Sequence, residues 1–281
     1  MNSTNLSELI KLAIVEDIGD GDHSSISCIS ENTNGRAHLL IKEHGVLAGI
    51  KVAMVVFHQI DPSLKLEVFL KDGEKIKNGD IAFIVSGKVL SILQSERLVL
   101  NFLQRMSGIA TTTNKYVKKL EGLKTRILDT RKTTPGLRIF EKMAVKTGGG
   151  ENHRMGLYDM IMLKDNHIEF AGGIKEAINL THTYLESIGK NLRIEIEARN
   201  LSEIKEILKT GRINRIMLDN FTLNDTRKAI ELINGKYETE SSGRITLETI
   251  RDYAECGVDF ISVGALTHQI RSLDMSLKAI N

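Results

Sequence analysis

The sequence predicts an α/β protein in two parts: an N-terminal α+β open sandwich domain over residues 1–112, then a partial β/α barrel of six or seven strands over residues 113–281. Three observations carry that reading. Beyond Gly122, short apolar runs of strand length alternate with segments of helical periodicity. The last four runs begin about 22 residues apart, the spacing of a repeated strand–helix unit in a parallel sheet. Each run also stops at a polar or glycine-containing segment, as strands do at the end of a barrel where ligands gather.

In chain order, the first part offers strands at Arg36–Lys42, Lys65–Leu70 and Ile81–Val89, which alternate or run apolar at strand length. A helix over Lys51–Ile60 lies between the first two, and KDGEKIKNGD (71–80) is a turn-rich connector. Leu98, Phe102 and Met106 recur at four-residue steps with Val99 beside them, which predicts an amphipathic helix over Leu93–Met106. It runs on through Gly108 into a second helical stretch ending near Leu120. The second part offers strands at Arg126–Leu128, Met160–Leu163, Leu192–Ile196, Ile216–Leu218, Tyr237–Thr239 and Phe260–Val263. Leu201–Thr210 and Leu247–Cys256 are two of the helices between them, and a C-terminal helix is expected to pack back on the first domain.

Composition narrows the function classes. With 41% hydrophobic and 26% charged residues, disordered, collagen-like and disulfide-scaffold readings are excluded. Cys28 and Cys256 stand far apart without a CxxC, so neither a disulfide frame nor a zinc site is indicated, and a reducing, cytoplasmic location is expected. The amino terminus, MNSTNLSELIKLAIVEDIGD, lacks a basic segment followed by a long apolar one and does not read as a signal peptide. Apolar runs such as Ile81–Val85 fall far short of the roughly 20 residues of a membrane span, so no membrane partner is expected. A net charge of +2 gives no reason to expect nucleic acid. The charge is uneven, however. Lys124–His167 holds nine lysines and arginines against five aspartates and glutamates, which suits either a solvated basic face or a pocket for a strongly anionic small molecule.

The strand ends supply the chemistry. In order they are Asp129-Thr130-Arg131-Lys132, Lys164, Glu197, Asp219, Ser241-Ser242-Gly243 and Gly264. TESSG (239–243) and SVGALTH (262–268) each read as a strand passing straight into a helix, where free N–H groups and a close backbone approach suit a phosphate; both glycines also fit simple turns. Glu197 and Asp219 end neighbouring strands and should lie side by side, where paired carboxylates share a proton, act as acid and base, hold a hard cation, or form a structural ion-pair network. DTRKTTPGLR (129–138) and GGGENHR (148–154) gather Arg131, Lys132, Arg138, His153 and Arg154, and arginine forks suit carboxylate or phosphate. His167 reads as a structural loop histidine. Neither a Walker A loop nor a GxGxxG is present.

Taken together, DTRKTTPGLR, GGGENHR, MLKDNH, EIEA, MLDN, SSG and SVGALTH, with EDIGDGDHSS (16–25) and SERLVLNFLQRMSGIATTT (95–113) upstream, resemble the quinolinate phosphoribosyltransferases over nearly the whole chain. Arg244 departs from the pattern, standing where many members carry a second glycine. The resemblance implies a decarboxylating phosphoribosyl transfer from phosphoribosyl pyrophosphate to quinolinate, and both substrates are polyanions that suit the basic window. It implies that Arg131, His153 and Arg154 hold the quinolinate carboxylates, with Thr130 and Arg138 in the same substrate set. Lys132, Lys164, Glu197 and Asp219 are the implied catalytic group around the pyrophosphate, the ribose and Mg²⁺, with Glu197 and Asp219 as the metal-facing pair. Ser242, Gly243, Arg244, Gly264, Ala265 and His268 are implied at the 5′-phosphate. Arg97 is implied to reach the active site of a neighbouring subunit, in a homodimer with shared sites or a higher oligomer. A related enzyme that accepts nicotinate without decarboxylation and a non-enzymatic phosphate-sugar sensor are the competing readings.

Overall fold

The structure is a computed structural model and describes residues 3–280; Met1, Asn2 and Asn281, at the outer ends of the two expected domains, lie outside the described residues. The chain opens with α1 (Ser3–Ile18) and α2 (His23–Cys28), then β1 (Asn34–Ile41), β2 (Gly45–Val46), α3 (Ile50–Ile60), β3 (Lys65–Val68), β4 (Lys75–Ile76), β5 (Ile81–Lys88) and α4 (Val89–Lys119). It continues through β6 (Arg126–Leu128), α5 (Arg138–Thr147), β7 (Ile161–Leu163), α6 (Asp165–Ala171), α7 (Ile174–Ser187), β8 (Ile194–Ala198), α8 (Leu201–Thr210) and β9 (Arg215–Asp219). The last elements are α9 (Leu223–Ile233), β10 (Glu238–Ser242), α10 (Ile250–Glu255), β11 (Phe260–Ser262), α11 (Ala265–His268) and β12 (Met275–Ile280). No helix among the described residues is long and apolar enough to cross a membrane.

The chain forms two compact units, and the division is not a single cut. The first unit takes the chain up to Asn114, Thr133–Gly149 and the segment from Leu266 onward; the second takes Lys115–Lys132 and Gly150–Ala265. The expected boundary at 112/113 therefore falls inside α4, which is one unbroken helix rather than two stretches. The expected C-terminal helix is also replaced. Met275–Ile280 is a strand that pairs antiparallel with β1, from Arg36↔Ile280 to Ile41↔Met275. The reason is legible in MSLKAI, where Met275 and Leu277 are buried on one face and β1 would otherwise present an unpaired edge.

In the first unit the sheet order is β12-β1-β5-β3, and a separate antiparallel pair joins β2 to β4. Ile50, Val52, Ala53, Val56 and Phe57 give α3 a buried apolar stripe, and the Phe57 ring meets Phe83 of β5 edge-on at 5.8 Å. The stripe read from α4 is buried as expected at Leu98, Phe102 and Met106, and Phe102 packs on Phe140 of α5 at 4.6 Å between centroids. Gly108 sits in the middle of this helix because a Cβ there would collide with the Arg271 carbonyl oxygen.

In the second unit six parallel strands lie in the order β6-β11-β10-β9-β8-β7. All six runs read from the sequence are present. Consecutive strands β6 and β7 stand at opposite edges of the sheet, so no β6–β7 ladder closes it. In place of a seventh strand, Glu151 alone bridges Leu128 of β6 in parallel. Register fixes which side chains share a face: Glu195 and Glu238 both pair with Arg215, Glu197 and Glu240 with Met217, and Ser242 with Asp219. Because side chains alternate along a strand, these residues all point to one side, and Ile194, Ile196 and Leu218 point to the other.

The tight passage at Gly108 yields a test. Gly108→Ala should destabilise the protein by about 1–3 kcal/mol, the usual cost of forcing a group into packed backbone, read as a lower urea midpoint. An unchanged midpoint would mean that the helix and the 271–272 segment are not in contact.

Candidate active site

A parallel sheet delivers the carboxyl ends of all its strands to one side, and the polar residues read from the sequence collect there. Lys164 follows β7 and reaches across to β8, where its Nζ lies 3.0 Å from Glu197 Oε2. Burial pushes the Glu197 carboxyl above its ordinary range, Lys164 opposes that rise and the nearby Asp219 carboxylate adds to it. Glu197 pairs with Met217, one step before Asp219, so the two carboxylates sit diagonally on adjacent strands and sense each other. Asp219 accepts a hydrogen bond from Asn220 Nδ2 at 2.8 Å. His167 has the structural role expected of it: its Nδ1 accepts from the Lys164 amide at 3.0 Å at the start of α6.

At the sheet's β6 edge, the strand delivers Asp129 to the interior, fully buried. Its carboxylate accepts from Asn152 Nδ2 at 2.6 Å and from the His153 amide at 2.9 Å, so the ENHR segment is tied to the strand end. Thr130 Oγ1 accepts from the Lys132 amide at 3.0 Å, which curls the chain and leaves the Arg131 and Lys132 side chains exposed. Arg154 is half-buried. Burial lowers its pKa, and the neighbouring Arg131 guanidinium lowers it further. The Glu195 and Asp159 carboxylates act the other way.

The His153 ring is turned into the interior. Its Nε2 lies 3.0 Å from Glu195 Oε2 and 3.3 Å from Glu240 Oε2, and its Nδ1 lies 2.7 Å from the Arg154 amide nitrogen. Both ring nitrogens thus face groups of the chain itself. Burial disfavours a charged imidazole, but the two carboxylates outweigh it and raise the ring's pKa to about 9. A second proton has to go on Nδ1, where the Arg154 N–H points. The contacts turn Nε2 toward the carboxylates and leave Nδ1 as the acceptor of the Arg154 N–H. Burial and the neighbouring Glu240 push the Glu195 carboxyl up to about 7. Burial works the same way on Glu240, but His153 and Arg215 outweigh it and hold that carboxyl low. Arg215 completes the cluster, with Nη1 2.8 Å from Glu240 and its guanidinium stacked 3.9 Å from the Phe260 centroid.

The glycine-containing ends lie on adjacent strands, β10 and β11. Gly243 has a φ of 98°, and a Cβ there would collide with the side chain of Asn220, a residue whose backbone N–H donates to the Ser242 carbonyl at 2.9 Å. Arg244 takes a left-handed φ of 51°, the conformation a glycine adopts without cost. The expected direct entry into a helix fails here, because Gly243–Thr249 form an irregular turn before α10 begins at Ile250. Gly264 and Ala265 do lead directly from β11 into α11, a helix of four residues.

The second unit therefore contains Thr130, Arg131, Lys132, His153, Arg154, Lys164, Glu197, Asp219, Ser242, Gly243, Arg244, Gly264 and Ala265. Arg97, Arg138 and His268 belong to the first unit. There Arg97 is exposed on α4, Arg138 opens α5 and donates from Nε to Thr133 Oγ1 at 2.9 Å, and His268 is exposed at the end of α11. Sequence reasoning missed Glu195, Arg215 and Glu240. The signal for the two glutamates was a charged residue at every second position of RIEIEA (193–198) and ETES (238–241), inside largely buried strands; Arg215 opens RIMLD (215–219) and carries no such pattern.

Two family models match the chain: "Quinolinate phosphoribosyl transferase, N-terminal domain" over residues 22–107 and "Quinolinate phosphoribosyl transferase, C-terminal domain" over residues 109–278. The quinolinate phosphoribosyltransferase [decarboxylating] 1b of Nicotiana tabacum is 45% identical over 289 residues, covering 98% of this chain and 82% of the relative. A probable nicotinate-nucleotide pyrophosphorylase [carboxylating] of Bacillus subtilis is 39% identical over 277 residues, covering 99% of this chain and 94% of the relative. The crystal structure of NadC from Streptococcus pyogenes superposes with a TM-score of 0.94 at 38% identity, over 100% of this chain and 99% of that one.

The β10 turn makes a contrast that can be measured. Gly243→Ala should cost about 1–3 kcal/mol through backbone strain and its clash with Asn220. Arg244→Gly relieves a left-handed side chain while loosening the unfolded chain, so it should change stability by under about 1 kcal/mol. Equal losses in the two variants, by urea unfolding, would contradict this account of the turn.

Proposed function

The chain belongs to the quinolinate phosphoribosyltransferase family, and from that premise we propose how its residues divide the family's reaction. Quinolinate and phosphoribosyl pyrophosphate give nicotinate mononucleotide, pyrophosphate and CO₂, a decarboxylating transfer in NAD biosynthesis. The observation that carries the assignment is the half-buried Arg154 at the end of GGGENHR, within electrostatic reach of Arg131. A dicarboxylate whose two groups sit on adjacent ring carbons suits two guanidinium forks. Lys132, beside Arg131, adds a positive charge, and Thr130 shapes the turn that presents both.

Bond breaking starts at the ribose. As the bond from its anomeric carbon to pyrophosphate breaks, the electron pair leaves with pyrophosphate and positive charge builds on the sugar. Glu197 and Asp219 supply the negative charge that stabilises it, while Lys164, 3.0 Å from Glu197, favours its charged form and orients it. The pyridine nitrogen then bonds to the anomeric carbon. The ring, now cationic, draws in the electron pair of the adjacent carbon–carboxylate bond, CO₂ departs and the vacated carbon takes a proton. No protein nucleophile is required. The turns at Ser242-Gly243-Arg244 and Gly264-Ala265 offer backbone N–H groups to the 5′-phosphate.

Glu197, already paired with Lys164, and Asp219 form a two-carboxylate donor set, which is too few oxygens for a dedicated metal cage. The pair fits Mg²⁺ carried mainly by the pyrophosphate, with these two carboxylates as its protein contacts. That ion would supply charge neutralisation on the leaving group. Arg97, exposed on α4 beside the Leu98–Phe102–Met106 stripe, is assigned to the partner's site in a homodimer.

The reaction itself is tested by CO₂ release from carboxyl-labelled quinolinate in the presence of phosphoribosyl pyrophosphate and Mg²⁺. Nucleotide formation from nicotinate with no CO₂ from quinolinate would replace the reading with the non-decarboxylating one. Arg154→Ala should weaken quinolinate binding by more than about tenfold, the loss expected on removing one partner of a desolvated charge pair. Glu197→Gln should instead lower turnover more than quinolinate affinity, since its interaction is made chiefly in the transition state. A Glu197→Gln enzyme with normal turnover and weak quinolinate binding would exchange the two roles. For Arg97, inactive Arg97→Ala and Lys164→Ala subunits should regain up to about half of a normal dimer's activity in each mixed dimer, if sites act independently. No recovery after verified subunit exchange would remove Arg97 from a shared site.

A further inference from the structure

The sheet's interior carries more charge than the reaction uses. Glu195 is 1% exposed, Glu240 is fully buried and the side chain of His153 is 5% exposed. Apolar side chains at these positions would avoid the cost of removing two carboxylates from water, and a buried ion pair is seldom retained for stability alone. The cluster sits on strands β8, β9 and β10, the most extensively paired part of the sheet, and it converges on one residue of an irregular segment. That segment, Asn152–Arg154, has no helix or strand of its own to hold it. Instead Asp129 takes the His153 amide, Glu195 and Glu240 take Nε2, and Nδ1 stands against the Arg154 amide. Outside this set, the Arg154 side chain makes one long contact, from Nη1 to the Met160 carbonyl at 3.4 Å.

We infer that Glu195 and Glu240 are positioning residues for quinolinate binding: they clamp the His153 ring from below, and the ring in turn fixes the backbone from which Arg154 reaches the substrate. This rests on the assignment of Arg154 to the acid pocket. The chain of contacts has a direction. Two rigid strands orient the imidazole with Nε2 inward, so Nδ1 must face outward, toward the next residue's N–H. Rotating the ring would take Nε2 away from two buried carboxylates and leave that amide without its acceptor. Arg215, bridging Glu240 and Glu238, keeps the clamp itself from shifting. The guanidinium of Arg154 is thereby aimed before the substrate arrives, and the ordering cost is met in folding rather than in binding.

The test is a double-mutant cycle read by calorimetry with quinolinate. Glu240→Gln keeps the shape and removes the charge. It should raise the quinolinate dissociation constant about tenfold, the scale of one hydrogen bond to a charged group. Turnover at saturating quinolinate and the KM for phosphoribosyl pyrophosphate should stay within about twofold, because the loss is of binding common to ground and transition states. In an Arg154→Ala background the same Glu240→Gln change should have no further effect on quinolinate affinity, since the clamp acts through Arg154. Glu195→Gln should behave alike and replaces Glu240→Gln if thermal melting shows the latter unfolded. A Glu240→Gln penalty that persists in Arg154→Ala, or no penalty where Arg154→Ala itself weakens binding, would overturn the inference. If Arg154→Ala leaves affinity unchanged, it is instead the assignment of the acid pocket that fails.

Discussion

The parallel register of six short strands is the constraint on which everything else in the second unit depends. It turns every strand's carboxyl end the same way, and its side-chain alternation decides which residues face inward. Read across the sheet from β6 to β7, the ends present Arg131 and Lys132, then Gly264, then Ser242 and Gly243, then Asp219, Glu197 and Lys164. The two phosphate-suited turns are therefore neighbours, the two carboxylates are neighbours, and Lys164 stands beside the carboxylate it pairs with. A one-residue slip in β8 or β9 would send Glu197 or Asp219 to the helix-facing side and leave no site at all.

That register also creates a problem that the sequence solves with charge. The strands put Glu195, Arg215, Glu238 and Glu240 on the same inward face. Left alone, the carboxylates would repel one another in a medium that screens poorly. Arg215 and the His153 ring stand among them, and the arrangement holds only while both stay in place. The interior thus works as a foundation for the mouth of the site: its electrostatic balance requires His153 to sit where it does, and the acid pocket is built one residue further on.

Much of this was legible before any coordinates. The six strands and the polar residues that end them could be read because parallel strands are continuous apolar runs that stop abruptly, as at MLKDNH and MLDN. The stripe through Leu98, Phe102 and Met106 was legible for the same reason of periodicity. What escaped was non-local. Nothing in MSLKAI says that it will pair with β1, more than 200 residues earlier in the chain, so its alternation was overlooked in favour of a helix. Glu195 was hidden because a glutamate beside Glu197 in EIEA looks like a second strand-end residue, whereas alternation along a buried strand sets it one layer deeper. The resemblance implies a substrate contact for His153; the register of β8 and β10 adds the two carboxylates that face its ring. Arg244 was flagged as a departure, and the backbone supplies its meaning, a side chain in a conformation suited to glycine.

The measurement closest to the centre of this account is a crystal structure of the protein with nicotinate mononucleotide bound. The strand order predicts its 5′-phosphate against the backbone N–H groups of the Gly243 and Gly264 turns, its ribose beside Glu197 and Asp219, and its ring carboxylate on Arg131 or Arg154. His153 should keep Nε2 on Glu195 and Glu240 in that complex. A nucleotide bound in the opposite sense, with its phosphate on Arg131 and Arg154, or one lying away from the strand ends, would contradict the assignment of chemistry to this register.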